Sequence, residues 1–528
     1  MHHFSLKCLV VKCPAAKCPG AVLSLPKQSL FFHLLCASIS SLFLSTNLLT
    51  AMLHGKKRNQ NTATPGPAAK RNPTSIPKPL SYGSLKTVLE HLEASKRLDL
   101  ARRCPSIRTA DKAAPLKIET LAFAPMKTAI NNKCYQLGVY RKFQNKRLDL
   151  LYTLEGTKSG GTPYDLDRFG FRETSEDLKM TPGDVDFQFK LLPDKPTVEE
   201  SKQRIKAKKA SIGFLRGCNN RHPSPSIIDQ SRRMRGEILP NTYHVKGETP
   251  PYNSYILLTV KNRVFNPHRV EDSDDEDSGE ESDEDSKNVA KEKTKKEYVE
   301  YTKTLQEASK YLNTWIFEGR PVIQVKKLEI KSAQMTIRLP PNVKIHAQII
   351  SIQRYVSKTI ESLSQILTDS SFPLKMIEGA CSKWIDGDLA HKSVQEANML
   401  VVLQDVPENK GISSHRFSRD TKWNNFPPRT HFEKADVLRD CIPSIIENWK
   451  TNKQQIGTWF SVGKSSKYNL EWAMQGLAKE LKVKEKKGVI TIPLDATRSI
   501  QFDYEEVDNE EHESYNASCI LNMKVVGK

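Results

Sequence analysis

Between Glu271 and Asp285 the chain carries eleven acidic residues interleaved with serines and no apolar side chain that a core could take up. Such a run stays solvated, because its charges repel one another and no apolar burial offsets the entropy of ordering it. Any fold must therefore be assembled from the sequence on either side, with the run as linker or loop. The run also divides the charge: the chain stands at +20, so without these eleven acids the remainder stands near +31. Either it shields a basic surface elsewhere or it only solvates its own linker. Ser273, Ser278 and Ser282 each have an acidic residue three positions on, at Glu276, Glu281 and Asp285. That context suits acidophilic kinases, and phosphate there would deepen the negative field.

The 528 residues have room for roughly two to four domains with cores of their own. At 38 % hydrophobic and 27 % charged, the chain reads as globular, neither a membrane bundle nor wholly disordered. Its ten cysteines are scattered through a long chain, which is not how a small secreted disulfide scaffold is built. They read as reduced thiols. Cys8, Cys13 and Cys18 recur every five residues but lack the paired Cys/His spacing of a zinc site. Leu30 to Leu53 carries no formal charge and is long enough to span a bilayer. It is read in three ways: a signal anchor, an apolar tail, or upstream sequence before a true start at Met52. The third is favoured, and membrane contact is expected only if 30–53 is a genuine part of the protein.

An α+β organisation is expected. Residues 1–53 form the apolar extension and 54–78 a basic linker rich in Pro, Asn and Thr. Residues 79–115 form a three-helix module. Ser81 is a good N-cap, and Tyr82, Leu85, Val88, Leu89 and Leu92 line one helical face. A second helix runs from Ser95 through Ala101, Pro105 stops it, and a third turn carries Ile107 and Ala110. Residues 116–265 form a central αβ domain with strands at Ile118–Phe123 and Tyr255–Val260, and a basic helix opened by the capping box Thr197-Val-Glu-Glu200 and running to about Ala210. The acidic linker spans 266–297. Residues 298–405 form a second αβ unit, with a helix expected from about Lys295 to Leu312. Residues 406–528 form a C-terminal α+β region in which Ala435, Leu438, Cys441, Ile442, Ile445 and Trp449 mark a helix. Strands follow at Val489–Ile492, Ile500–Tyr504 and Leu521–Val525 as a closing antiparallel sheet. One pattern repeats: Ile118-x-x-Leu121-x-Phe123, Val325-x-x-Leu328-x-Ile330 and Ala397-x-x-Leu400-x-Val402. Its irregular spacing suggests related αβ units more than a solenoid.

Motifs that would make this chain an enzyme fail on spacing. Gly463-Lys464-Ser465 resembles a phosphate loop, but the upstream Gly457 leaves five intervening residues and Trp459 and Phe460 lie among them. The loop needs four residues and a tight curl of N–H groups, so Thr458–Val462 reads as a strand. Cys218 and His222 are close in sequence, which says little, because a cysteine nucleophile finds its base through the fold. No nucleophile elbow, zinc-protease helix or RING spacing is present. Asn516-Ala-Ser518 would accept a glycan only in a secreted protein. The helix Lys202–Lys209, with Arg232, Arg233 and Arg235 after it, reads as a solvated basic face, and nucleic acid is not an expected partner. No catalytic residue, metal or cofactor is assigned, and the expectation is an interaction protein.

Several stretches together resemble the nematode F-box C family. They are Pro79-Leu-Ser-Tyr-Gly-Ser-Leu-Lys-Thr-Val-Leu-Glu-His-Leu92, Arg102-Arg-Cys-Pro-Ser-Ile107 and Pro115-Leu-Lys-Ile118, followed by Tyr135-Gln-Leu-Gly-Val-Tyr140, Asp165-Leu-Asp-Arg-Phe-Gly170 and Thr181-Pro-Gly-Asp184. Ile446-Glu-Asn-Trp449 and Ile456-Gly-Thr458 resemble its closing region. The resemblance implies an F-box-like module that docks on a Skp-type adaptor of a cullin-RING ubiquitin ligase, with the rest of the chain selecting a protein substrate. Leu80, Leu85, Val88, Leu89 and Leu92 are then the expected adaptor-binding residues. Cytoplasmic or nuclear placement follows from that reading, with membrane anchoring through 30–53 as its alternative. A scaffold without adaptor binding, and a basic nucleic-acid binder, are the competing functions.

Overall fold

The structure is a computed structural model and describes residues 80–145, 160–189, 194–221, 225–262, 294–332, 334–380, 387–403, 423–433, 442–464, 467–484, 488–506 and 519–528. These belong to one compact unit, Pro79–Lys528. The first elements are α1 (Tyr82–His91), α2 (Ala94–Arg103) and α3 (Arg108–Ala113), with a 3-10 turn at Pro105–Ile107. Ser81 caps α1 by accepting a hydrogen bond from the Ser84 backbone N–H, and Leu92 ends it in an extended conformation. The three expected helices are all present.

An antiparallel meander follows: β1 (Lys117–Ala124), β2 (Lys127–Ile130) and β3 (Lys133–Phe143). After α4 (Thr174–Leu178) and β4 (Val185–Asp186) come two long helices, α5 (Val198–Arg221) and α6 (Pro225–Lys246), then β5 (Tyr252–Asn262) and β6 (Lys295–Glu300). The expected basic helix is thus longer than its sequence suggests, and its partner α6 was not foreseen. The Thr197 capping box forms as read: Thr197 Oγ1 accepts from the Glu200 N–H, and Glu200 accepts from the Thr197 N–H.

The helix expected from about Lys295 to Leu312 is corrected. Lys295–Glu300 is strand β6, paired with β5, and α7 (Leu305–Phe317) begins only after Thr304 and Glu307 close a second capping box. The remaining elements are β7 (Ile323–Ile330), β8 (Thr336–Ile337), β9 (Ile345–Ile352), α8 (Val356–Leu363), β10 (Met376–Ala380), α9 (Lys392–Gln395), β11 (Leu400–Leu403), β12 (Arg429–Phe432), α10 (Ile442–Thr451), β13 (Trp459–Lys464), α11 (Lys467–Glu480), β14 (Ile490–Pro493), β15 (Arg498–Glu506) and β16 (Cys519–Gly527). The expected helical positions 435–441 lie outside the described residues.

Fourteen strands join one sheet in the order β14-β15-β16-β13-β12-β11-β10-β9-β7-β1-β2-β3-β5-β6, and β4 pairs with β8 separately. From β1 to β13 the neighbours are parallel, and both flanks are antiparallel. The stretches expected as separate αβ units share this sheet and one continuous core, in which Ile118, Val325, Leu400 and Phe502 all take part. Beyond β7 each crossover places the next parallel strand on the same side of the last, as in a strand-per-coil stack.

The repeated sequence pattern is the register of that stack. Ile118 and Leu121 of β1 lie beside Val325 and Leu328 of β7, which lie beside Ala347 and Ile350 of β9. Ile377 and Leu400 continue the row on β10 and β11, each preceded three residues earlier by buried Leu374 and Ala397. The three-residue step marks a shift in side-chain phase. Leu116 and Ile118 are buried, then Leu121 and Phe123, with Glu119 absent from the ladder between them. Glu119 and Thr120 both donate their N–H groups to Asn131 Oδ1, at 3.0 and 3.2 Å. The offset between β1 and β7 is the same on both sides of Glu119, and Lys326 is skipped opposite it, so neighbouring strands take the step together.

Candidate functional site

The helical module divides the expected adaptor-binding set. Leu89 is 0 % exposed and packs with Ala110 and Ala114, and Leu85 and Leu92 lie half-buried beside it. Leu80 is 60 % exposed, Tyr82 58 % and Val88 45 %. At about 100° per residue, Tyr82 and Val88 fall on opposite flanks of a stripe whose centre is Leu89, Leu85 and Leu92. The apolar face read from the sequence thus closes the module's own core along its midline, leaving Leu80, Tyr82 and Val88 to solvent. Leu89, expected among the adaptor-binding residues, lies in this core.

A buried charge cluster anchors the module to the body, and no sequence motif announced it. Arg97, Asp111 and Arg320 side chains are almost wholly buried. Asp111 pairs with Arg97 Nε through one oxygen and with Arg320 Nη2, at 2.5 Å, through the other. Arg97 also donates to the carbonyls of Pro115, at 2.7 Å, and Ala114, at 2.6 Å. Arg320 follows α7, whose last turn accepts its Nε at Ile316 O, 2.7 Å. Burial pushes the Arg320 guanidinium down, and Asp111 opposes that shift. A carboxylate shared by two guanidiniums keeps all three groups satisfied without water.

The motifs Asp165–Gly170 and Thr181–Asp184 meet at a second buried network, around Arg338. Arg338 donates to Asp184 Oδ2 at 2.8 Å, Gln306 Oε1 at 2.8 Å, Asp177 O at 3.0 Å and Glu176 O at 3.1 Å. Asp165 accepts the Leu305 N–H at 2.6 Å and the Tyr301 hydroxyl, so it caps α7. Lys310 reaches Asp184 at 2.7 Å. Burial pushes the Asp184 carboxyl up, but hydrogen bonds from Lys310, Thr181 and Arg338 outweigh it and hold the group below its ordinary 3.8. Gly183 permits the turn: its φ is +91°, and a Cβ there would stand 2.5 Å from Pro340 O. Every carboxylate in this network is engaged, so it fixes two loops onto α7 and offers no open ligand.

The sheet face opposite the Leu121–Leu328–Leu400 row carries a cross-strand row of mostly polar residues: Glu329, Ser351, Glu378, Val401, His431, Ser461, Asn522 and Asp503, in register. Lys327 Nζ lies 2.7 Å from Glu378 and 3.5 Å from Glu329. Burial pushes its ammonium down, and the two carboxylates more than compensate and hold it up. His431 Nδ1 lies 2.8 Å from Ser461 Oγ. Both residues are fully buried, and Val401 and Asn522 flank the pair in the row. Asn522 accepts from Trp459 Nε1 and donates to Asp503 Oδ1, each at 2.9 Å. Trp459, Phe460 and Gly463 lie in β13, paired on both sides; the segment is a strand, as its aromatics suggested.

A cavity of about 380 Å³ lies at the base of α5 and α6, lined by Asp167, Phe169, Phe171, Glu173, Lys195 and His244. Its acids are already paired with Lys195, at 3.5 and 2.8 Å. Among the described residues no group of three or more His, Cys, Asp or Glu is placed to hold a metal, and Cys104, Cys134 and Cys519 are not in disulfides. Cys218 falls within α5. His222, Ser465, the candidate phosphoserines Ser273, Ser278 and Ser282, and the segments 30–53 and 54–78 lie outside the described residues. No helix among the described residues is long and apolar enough to cross a membrane. No curated protein and no solved structure matches the chain. Residues 304–466, from the cap of α7 through β13, match the family model described as a domain of unknown function, DUF3557.

Proposed function

We propose that this chain is an F-box-like interaction adaptor of the nematode F-box C type. Residues 80–114 dock a Skp-type adaptor of a cullin-RING ubiquitin ligase, and the sheet body holds a protein substrate. The observation that carries the reading is that Leu80, Tyr82 and Val88 stay exposed after the module has packed. Large apolar side chains left out of a small helical unit are what helix-in-groove docking uses. Anchorage through Asp111 supports it further, because a module locked to the body would hold two partners at a fixed separation.

The test is co-purification of the full chain with a Skp-type adaptor. Leu80→Asp with Val88→Asp should reduce recovery on the order of 100-fold, as expected for loss of two apolar anchors, with an unchanged thermal midpoint. Leu89→Asp is unsuitable, because it would open the module's core. Recovery of no adaptor by the wild-type chain sinks the ligase reading; partners retained through the body alone would then make the chain a scaffold.

A further inference from the structure

We propose that the arm formed by α5 and α6 binds the phosphate backbone of nucleic acid. This is independent of the adaptor reading and departs from the sequence-based expectation for these residues. Between Val198 and Lys246 there are eleven Lys or Arg against four Asp or Glu, and α5 has no acid after Glu200. The arm meets the body at its base, where His244 packs on Phe169 and Phe171 and bonds Ser201 at 2.9 Å.

Helical spacing sorts the charges. Ile205, Ile212 and Leu215 are buried or half-buried and share the side of α5 that faces α6. On one flank of that seam Lys208 pairs with Glu237 of α6. On the other flank Lys202, Lys206, Lys209 and Arg216, all exposed, fall within a sector of about 80° and run about 21 Å along the helix. Lys202 pairs with Glu199 at 3.2 Å; Lys206, Lys209 and Arg216 have no ion pair among the described residues. Gly213 lies in this row, and nothing stands within 4 Å of where its Cβ would be, so a phosphate can approach the helix backbone there. Phe214, 72 % exposed, lies outside the row, about 120° around the helix from its midline.

These features favour nucleic acid over other polyanions. A helix that lies on an anionic membrane needs an apolar face to insert, and among the described residues of α5 the exposed large apolar side chains are Val198, in the first turn, and Phe214, which do not make a face. A straight row of cations suits a polymer with regularly spaced phosphates. A helix ending near Ala210, as the sequence suggests, stops short of Gly213, Phe214 and Arg216, and its charges then read as a solvated basic face.

The test is fluorescence anisotropy of the full chain with single-stranded RNA and with a DNA duplex, each about 20 nucleotides long, across a salt series from about 50 to 200 mM. The variant K202E/K206E/K209E/R216E should weaken binding on the order of 100-fold and lower the log–log salt slope by about 3. The equally charged control K96E/K392E/K450E/K453E should leave the slope unchanged, and matching thermal midpoints show that all three proteins are folded. Four outcomes overturn the proposal: no wild-type binding at the lowest salt, an unchanged slope in the arm variant, an equal loss in the control, or equally tight binding to phosphatidylserine vesicles.

Discussion

The parallel centre of the sheet and the α5–α6 arm hold their shapes by different means. In the centre, each strand is fixed by neighbours far away in sequence: Leu328 sits between Leu121 and Ile350, and no local signal sets that register. In the arm, two helices hold each other through a thin seam at Ile205, Ile212 and Leu215, with Lys208 paired to Glu237 and Ser201 bonded to His244, while most of α5 is exposed. Burial decides conformation in the first region. Local propensity and charge decide it in the second, which leaves the arm's surface open to be set by a ligand.

The largest expected effects are therefore at the two buried sites, the centre of the sheet and the module's anchor. Leu328→Ala should cost about 2–5 kcal/mol, because the site is sealed on both sides and cannot collapse, read as a lower urea midpoint for the whole unit. Asp111→Ala should cost about 3–5 kcal/mol by stranding two buried guanidiniums. Its effect should concentrate on α1–α3, visible as faster amide exchange there while β7–β11 stay protected. If exchange rises evenly everywhere, module and body are one cooperative piece and the comparison needs a third term.

Acid gives a smaller, local effect. The Asp184 carboxyl is held below its ordinary value, so its contribution is fully present above that value and is lost only as pH falls through the lower, folded one. Amide protection around 181–184 should hold to about pH 4 and fail below it, earlier in Lys310→Ala than in the wild type. The smallest effect should be in the arm, where Phe214→Ala should change stability by less than about 0.5 kcal/mol. A larger loss would mean that the exposed ring already packs against something in the free protein.

The same contrast explains what the sequence made legible. The first three helices, the basic cap at Thr197 and the closing strands were readable because capping residues and period-two alternation are local. Strand β6 was misread as helix: Lys295–Glu300 is exposed along nearly all its length, so no alternation marks it, and only pairing with β5 makes it a strand. The correct helix start was nonetheless written in Thr304-x-x-Glu307, the signature already recognised at Thr197. Helix α6 was missed because Pro225 opens it and Pro240 lies inside it, and prolines read as breaks. The repeated pattern at Ile118, Val325 and Ala397 was seen, but its meaning as register needed the strands side by side. The Asp111 and Arg338 clusters join residues roughly 100 to 200 positions apart, which no spacing rule links. The split of the Leu85–Leu92 face between core and surface was hidden for the same reason, since only packing shows which apolar residues of a stripe are covered.

Strand β16 also bears on how this molecule is made. It lies between β13 and β15, so β14 and β15, although synthesised earlier, reach the main sheet only through it. A nascent chain halted before Cys519 would leave the edge of β13 uncovered and the β14–β15 hairpin undocked. An uncovered edge beside apolar Phe460 and Val462 invites pairing with another nascent chain. Docking of β16 is then the step that closes this edge to other chains.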